Sequence, residues 1–373
     1  WTGNRTSLAT WQSASSKDVN SVSILPEFIS NTDLHIQNYL LDNKGLPVSG
    51  TTTDIDGQTR SVSTPDIGAD EWTTPVNDAG VTAINQSSTL CSTSDSIYVT
   101  IKNFGTTTLT TATVNWKVNG VNQTPFPWTG SLTQGSTTPS FSAGYYNFGL
   151  GTPYSIYAWT TAPNGGSEGF NHNDTSEIIS TYQAMTGAYT IGGFTPNYAT
   201  FAAAVTDLTN GGVCGPVTFN VRNAIYTEQV ILNTIAGTSP VNTVTFQSEN
   251  NDSTLVTLTF SPTAADNYTL RFNGADYVTI RTMSLKATGA TYSRVIQIDN
   301  GSTNNVIANN VIEGTTTTST SANMAVVMEN TGINNTNLTI ENNRIKNGSI
   351  GFYYYGGGVP ENLILRNNRF TNQ

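Results

Sequence analysis

Asn304-Asn305-Val306-Ile307-Ala308-Asn309-Asn310, Asn337-Leu338-Thr339-Ile340-Glu341-Asn342-Asn343 and Asn362-Leu363-Ile364-Leu365-Arg366-Asn367-Asn368 are one phrase written three times. The Asn-Asn steps ending at Asn310, Asn343 and Asn368 stand 33 and then 25 residues apart. An apolar residue precedes each pair by two positions, at Ile307, Ile340 and Leu365, and another follows by two, at Ile312, Ile345 and Phe370. Moving back 27 residues puts Ile280 and Leu285 in the same two columns, with Thr282 and Met283 in place of the asparagines. That is a fourth, degenerate copy.

A period of this length, built from short β-prone runs, predicts coils of a parallel β-solenoid in which each coil buries its apolar columns against the next. Val295-Ile296-Gln297-Ile298, Ala325-Val326-Val327-Met328 and Phe352-Tyr353-Tyr354-Tyr355 supply a further strand per coil. Asparagine suits the corners, because it tolerates the left-handed conformation a sharp turn needs and stacked amides hydrogen-bond from rung to rung. An Asn-rich chain yields chance pairs, but composition alone does not put three columns on shared, unequal offsets.

At 373 residues the chain has room for two or three domains, each with a core. Only 11% of residues are charged while 10% are aromatic, which fits folded, turn-rich β structure rather than disorder. A net charge of −10 and the lack of any Lys/Arg cluster argue against nucleic acid. No apolar run approaches the ~20 residues of a spanning helix, so no membrane insertion is expected. Opening at Trp1, without Met or a signal sequence, the chain reads as an internal or processed piece. Cys91 and Cys214 are too few for a disulfide framework. Two buried free thiols are expected, with pairing left open to the fold.

In chain order, residues 1–74 lead through Leu25-Pro26-Glu27-Phe28 and Asp54-Ile55-Asp56-Gly57 to Pro65-Asp66-Ile67-Gly68-Ala69-Asp70-Glu71. A linker signal follows at Pro75, Asn77, Asp78 and Gly80. Over 75–182, Ile97, Val99 and Ile101 alternate with polar neighbours, as do Val114, Trp116 and Val118, and Asn119-Gly120 predicts a hairpin turn. With strands at 154–159 and 177–181 this reads as an immunoglobulin-like sandwich. From 183 onward a Gly-rich connector enters the only expected helix, Tyr198 to Leu208, with Phe201, Ala204, Val205 and Leu208 on one face and Asn210-Gly211-Gly212 as its stop. Laid over the first rung, such a helix hides its open backbone edge and so caps the solenoid.

Leu-Pro-Glu-Phe at 25–28, Asp-Ile-Asp-Gly-Gln-Thr-Arg at 54–60, Pro-Asp-Ile-Gly-Ala-Asp-Glu at 65–71 and Gly-Gly-Val-Cys-Gly-Pro-Val-Thr-Phe-Asn at 211–220 resemble the ends and entries of right-handed parallel β-helix, pectin-lyase-like regions of secreted Bacteroidetes proteins. The resemblance implies final coils of one β-helix over 1–74 and the first coils of a second, truncated one over 183–373. Val99 to Gly105, Val114 to Gly120 and Tyr157 to Gly165 resemble bacterial cell-adhesion-related Ig-like modules. These are framework positions and imply a spacer. Such proteins are, by resemblance, exported through the type IX system, and some serve surface attachment or gliding.

Pectin-lyase-like folds often act on polysaccharides, and a hydrolase of that kind needs two carboxylates about 5–10 Å apart on one face. The coil acids Asp252, Asp266, Asp276, Asp299, Glu313, Glu329, Glu341 and Glu361 read mostly as isolated turn residues. Glu341 shares a column with Arg366, as Arg344 does with Arg369, and the first pair is an ion pair rather than an acid–base pair. No catalytic residue, cofactor or metal site is expected: His35 and His172 lack partners at metal spacing. Asp54 and Asp56 begin like a calcium loop that then fails, which favours turn-capping and pairing with Arg60. Tyr353 and Tyr355, before Gly356-Gly357-Gly358, are the one glycan-contact signal, set against a strand with one buried face. Ser96, in Asp95-Ser96-Ile97, and Ser253, in Asp252-Ser253-Thr254, resemble short Bacteroidetes O-glycosylation acceptors.

The expected architecture is all-β, with β-helix segments flanking an Ig-like sandwich. The expected role is a non-catalytic segment of a repetitive extracellular surface protein, with neighbouring repeats, surface glycans, other surface proteins and the secretion machinery as partners. The alternative is a polysaccharide-binding or polysaccharide-degrading β-helix protein.

Overall fold

The computed structural model describes residues 4–36, 38–330, 335–355 and 362–373. Among them are two α-helices, α1 at Leu8–Ser15 and α2 at Phe201–Gly211, and otherwise strands, turns and short 3-10 segments. The fold is all-β, with parallel and antiparallel sheets. Two compact units form: residues 1–85 with 96–144 and 156–179, and residues 86–95 with 145–155 and 180–373.

In the first unit, alternation builds an immunoglobulin-like sandwich. Ala79–Ile84 pairs antiparallel with Ser94–Asn103, setting Val81 opposite Ile101 and Ile84 opposite Val99. In the other sheet Leu109–Val118 pairs with Tyr154–Thr161, Phe126–Leu132 and, across the turn at Asn119-Gly120, Val121–Asn122. Asn119 and Gly120 have φ of 48° and 78°, the left-handed pair this turn requires. Ile97, Val99, Ile101, Val114, Trp116, Val118, Ile156 and Ala158 are all buried.

Residues 4–74 differ from expectation. Where final coils were expected, there are α1 and two isolated antiparallel bridges, Phe28 to Ile36 and Thr53 to Thr59. Helix α1 has its own capping box, Ser7 with Thr10, so it begins on a local signal. The rest is rich in Asp, Gly, Ser and Thr without period-two alternation, and carboxylates satisfy its backbone instead of ladders. Asp66 Oδ1 and Oδ2 accept the N–H groups of Asn43 (2.6 Å) and Trp72 (2.8 Å). Glu71 accepts those of Ser61 (2.8 Å) and Asp66 (3.0 Å). The Pro65 to Glu71 phrase thus works through its acids.

The second unit is a parallel β-helix of three faces. The first face stacks Met185–Ile191, Val213–Val221, Val244–Ser248, Val278–Arg281, Val306–Ala308, Thr339–Glu341 and Ile364–Arg366. The second stacks six strands from Ala224–Thr227 to Arg369–Thr371, and the third stacks five from Val230–Asn233 to Ile350–Tyr355. Ile280, Ile307, Ile340 and Leu365 are register partners in sequence, as are Leu285, Ile312, Ile345 and Phe370. The apolar columns read from sequence are therefore the ladder of the fold. Near the start of the solenoid the same column is aromatic, Phe219 stacking on Phe246 at 4.5 Å between centroids.

Helix α2 lies in sequence between two adjacent parallel strands of the first face. It starts three residues later than expected, at the Thr200 cap, whose Oγ1 accepts the Ala203 N–H at 3.1 Å, and it ends at Gly212 with φ 66°. Glu228 accepts the N–H groups of Phe201 and Ala202, placing negative charge at the helix N-terminus. Phe201, Ala204, Val205 and Leu208 join the solenoid core, Phe201 meeting Tyr226 edge-on at 5.3 Å.

The asparagines divide into two ladders. Asn304, Asn309, Asn337, Asn342, Asn362 and Asn367 take φ between 54° and 59° and turn the corners, and Thr282 takes the same corner with φ 53°. The second residue of each pair points inward. Asn310 and Asn343 are 1% exposed and bond to backbone: Asn310 Oδ1 accepts the Met283 N–H (3.0 Å) and its Nδ2 donates to Ile280 O (2.9 Å). Amide-to-amide stacking, expected of the whole ladder, runs along one outer column, where Asn362 donates to Asn337 (2.8 Å) and Asn337 to Asn304 (3.0 Å).

Cys91 and Cys214 form a disulfide, with Cα atoms 5.4 Å apart. The expectation of two free thiols is corrected. Thr89–Leu90 pairs parallel with Tyr182 and Gln183, which carries Cys91 to the strand that holds Cys214 across 123 residues of sequence.

Candidate functional site

The third solenoid face carries a polar concavity that the sequence did not announce. Asn267, Tyr268, Arg271, Tyr292, Arg294 and Gln297 line a pocket of about 240 Å³. Arg271 donates through Nε and Nη2 to both oxygens of Asp299 (3.0 and 2.9 Å), and Gln297 Nε2 donates to Asp299 Oδ2 (2.6 Å). This forked geometry fixes the Arg271 plane, whose centre lies 5.7 Å from the Tyr268 ring centroid. Arg294 is buried, donates through Nη1 to Gln297 Oε1 (2.6 Å), and leaves Nε with no hydrogen-bond partner. Burial pushes the Arg294 guanidinium below its ordinary value, and Asp299 opposes that shift. Guanidinium, phenol and amide groups at one concavity suit an oxyanion or a hydroxyl-rich ligand.

The tyrosines lie on the last strand of this face, Ile350–Tyr355. Tyr353 and Tyr355 share a side and stack with centroids 6.2 Å apart, and Tyr355 is 58% exposed. Phe352 packs against the core instead, as period two requires. Gly356 to Gly358 lie outside the described residues. Ser96 is buried in its strand, so the folded surface does not present its hydroxyl, which speaks against its use as an acceptor. Ser253 is half-buried in a turn that Asp252 closes by accepting from Thr254 N and Oγ1.

The coil acids are engaged with neighbouring coils more than their spacing suggested. Glu313, read as isolated, is clasped by Lys286 (3.1 Å) and Lys346 (2.8 Å) from the coils on either side. Register would have found it, because Lys286, Glu313 and Lys346 are successive ladder partners. Glu341 pairs with Arg366 as expected. Asp276 Oδ1 accepts Thr303 N (2.7 Å) and Oγ1 (2.6 Å). Glu329 is fully buried, and burial pushes its carboxyl up to about 7. Glu361 lies outside the described residues.

Elsewhere, His35 sits between Asp33 and Asp56, whose hydrogen bonds, Asp33 first, raise its imidazole to about 9. Asp54 caps its turn by accepting the N–H groups of Asp56 (2.9 Å) and Gln58 (2.7 Å). The expected pairing with Arg60 does not form: Arg60 donates to the carbonyls of Asp66 and Gly68 and pairs with Glu71 at 3.6 Å.

No family model and no curated protein matches the chain. Among solved structures it is similar to the CARDB, or cell-adhesion-related, domain of a Pyrococcus furiosus protein in complex with di-metal ions. That match has 19% identity and a TM-score of 0.25, covering 31% of this chain and all of that one. It is also similar to the pectin methylesterase of Erwinia chrysanthemi, at 10% identity and a TM-score of 0.32, over 44% of this chain and 50% of that one. A pectin methylesterase of Aspergillus niger matches at 13% identity and a TM-score of 0.24, over 51% and 87%. None of these likenesses assigns an activity to this chain.

Proposed function

We propose that the chain is a non-catalytic structural and adhesive segment of a large repetitive protein at the bacterial cell surface. The observation that carries this reading is the use of the solenoid's polar side chains between coils. Asn310 and Asn343 bond to the backbone of adjacent turns, and Glu313, Glu341 and Asp276 bond to side chains or backbone one coil away. Groups held this way stiffen a stack whose stability comes from nearest neighbours. The Cys91–Cys214 bond suits an oxidising, extracellular setting. Neighbouring repeats, surface glycans and other surface proteins are the partners of this reading, and the type IX machinery its export route.

A second reading, polysaccharide binding, is favoured by the Arg271–Arg294 pocket. Incubating the chain with neutral and uronate-rich polysaccharides, and measuring released chain ends beside retention on a glycan array, separates the two. The structural reading expects no release and no retention that depends on the pocket. Retention abolished by Arg294→Ala but kept by Tyr353→Ala/Tyr355→Ala would place binding in the pocket; the reverse would place it on the tyrosines. Release of chain ends would overturn the non-catalytic reading.

A further inference from the structure

Three carboxylates far apart in sequence meet inside the Ig-like unit. Asp78 immediately precedes the strand Ala79–Ile84, while Glu168 and Asp174 belong to the segment between Tyr154–Thr161 and Ile179–Gln183. One side-chain oxygen from each lies within 4.8 Å of the others. Asp78 and Asp174 are 2% and 8% exposed, so these groups are out of water.

Their hydrogen bonds account for only part of their oxygens. Glu168 Oε1 accepts the Ala79 N–H (2.8 Å), and Asp78 Oδ2 accepts from Asn173 Nδ2 (3.1 Å). Asp78 Oδ1, Glu168 Oε2, Asp174 Oδ1 and Asn173 Oδ1 are each buried with no hydrogen-bond partner. Orphaned oxygens on all three carboxylates and on the neighbouring Asn173 amide are costly, since an unpaired buried polar group costs about 1–3 kcal/mol and a charged one more. The surrounding backbone holds them there: Asp174 O accepts Val81 N–H (3.0 Å) and Thr160 N–H (3.3 Å). Gly80 permits the approach, because a Cβ at that position would lie 2.0 Å from Asn173 O.

We propose that Asp78, Glu168 and Asp174, with the Asn173 amide oxygen, bind one calcium ion that fastens the 168–174 segment to the first strand of the sandwich. The donors are all oxygen, the preference of a hard cation, with no imidazole or thiolate to favour a transition metal. Two oxygens on opposite sides of a calcium ion, each ~2.4 Å from it, stand ~4.8 Å apart, and the three carboxylate oxygens lie within that span of one another. Backbone carbonyls and water complete the six to eight ligands usual for this ion. Without a cation, burial holds protons on the cluster, pushing Asp78 up to about 6, and burial with repulsion from neighbouring carboxylates pushes Asp174 up to about 7 and Glu168 up to about 8.

The test is calorimetric titration of the chelator-treated full chain with calcium at pH 8, beside thermal melting with and without the ion. One equivalent is expected to bind and to raise the melting temperature, and Asp174→Asn to weaken binding by at least about tenfold, a loss typical even of residues that only orient a ligand. If Asp174→Asn fails to fold, Asn173→Ala, which removes one neutral donor, is expected to weaken binding while the chain still folds. Absence of any binding heat or thermal shift in the unmodified chain would overturn the proposal. So would binding that Asp78→Asn and Asp174→Asn both leave unchanged, which would put the ion elsewhere.

Discussion

Asn343 lies one coil from Asn310 and closes it from the side: its Oδ1 accepts the Asn310 N–H at 2.9 Å while its Nδ2 donates to Ile307 O at 2.8 Å. The same pair of bonds runs from Asn310 to Met283 N and Ile280 O, and Asn368 repeats it toward Asn343 N and Ile340 O. A buried amide replaces the water that a strand's end would otherwise need, so each coil ends inside the core with its backbone satisfied.

The degenerate copy of the phrase gives a direct prediction. Thr282 occupies, at φ 53°, the corner that Asn309, Asn342 and Asn367 occupy in later coils. A β-branched residue is disfavoured there while asparagine is tolerated, so Thr282→Asn is expected to stabilise the chain by about 1 kcal/mol. Guanidinium unfolding of the two proteins checks this through the midpoint.

The disulfide makes a second. Joining residues 123 apart restricts the unfolded chain, and Cys91→Ser/Cys214→Ser is expected to lower the unfolding free energy by about 2–5 kcal/mol. Thiol titration of the native and the denatured, unreduced protein should find no free cysteine in either. A thiol count of two would contradict the pairing.

Glu329 gives the pH dependence. Its folded pKa, about 7, lies above the ordinary 4.5 because the carboxyl is buried. Its contribution to stability is therefore fully present below about 4.5 and is lost as pH rises through about 7, where folding must bury a charge. Glu329→Gln should gain stability relative to the unmodified chain across that window, measured as the difference between their denaturation midpoints at pH 5 and pH 8. A difference that does not change with pH would show that the carboxyl titrates normally.

What the sequence disclosed follows from what repeats. Ile280, Ile307, Ile340 and Leu365 were legible because a solenoid writes the same contact at a coil's spacing, and so was the Glu341–Arg366 pair. The Lys286–Glu313–Lys346 ladder was equally written, one position after the second apolar column, where its charges were read singly. Contacts that occur once left no period. Cys91 meets Cys214, and Asp78 meets Glu168 and Asp174, through sheet pairings that no local pattern encodes. Residues 4–74 misled in another way: their phrases resemble coil ends, yet their carboxylates fold them through side-chain bonds to backbone N–H groups.

The claim that the solenoid's amides stack coils, rather than face a ligand, is tested most directly by Asn310→Ala. The substitution leaves the Met283 N–H unpaired in the core and removes the side-chain bond to the Ile280 carbonyl. At about 1–3 kcal/mol for an orphaned buried donor, the unfolding free energy of the solenoid, followed by far-UV circular dichroism in guanidinium, is predicted to fall by about that amount. An unchanged midpoint, with glycan retention lost instead, would contradict the account.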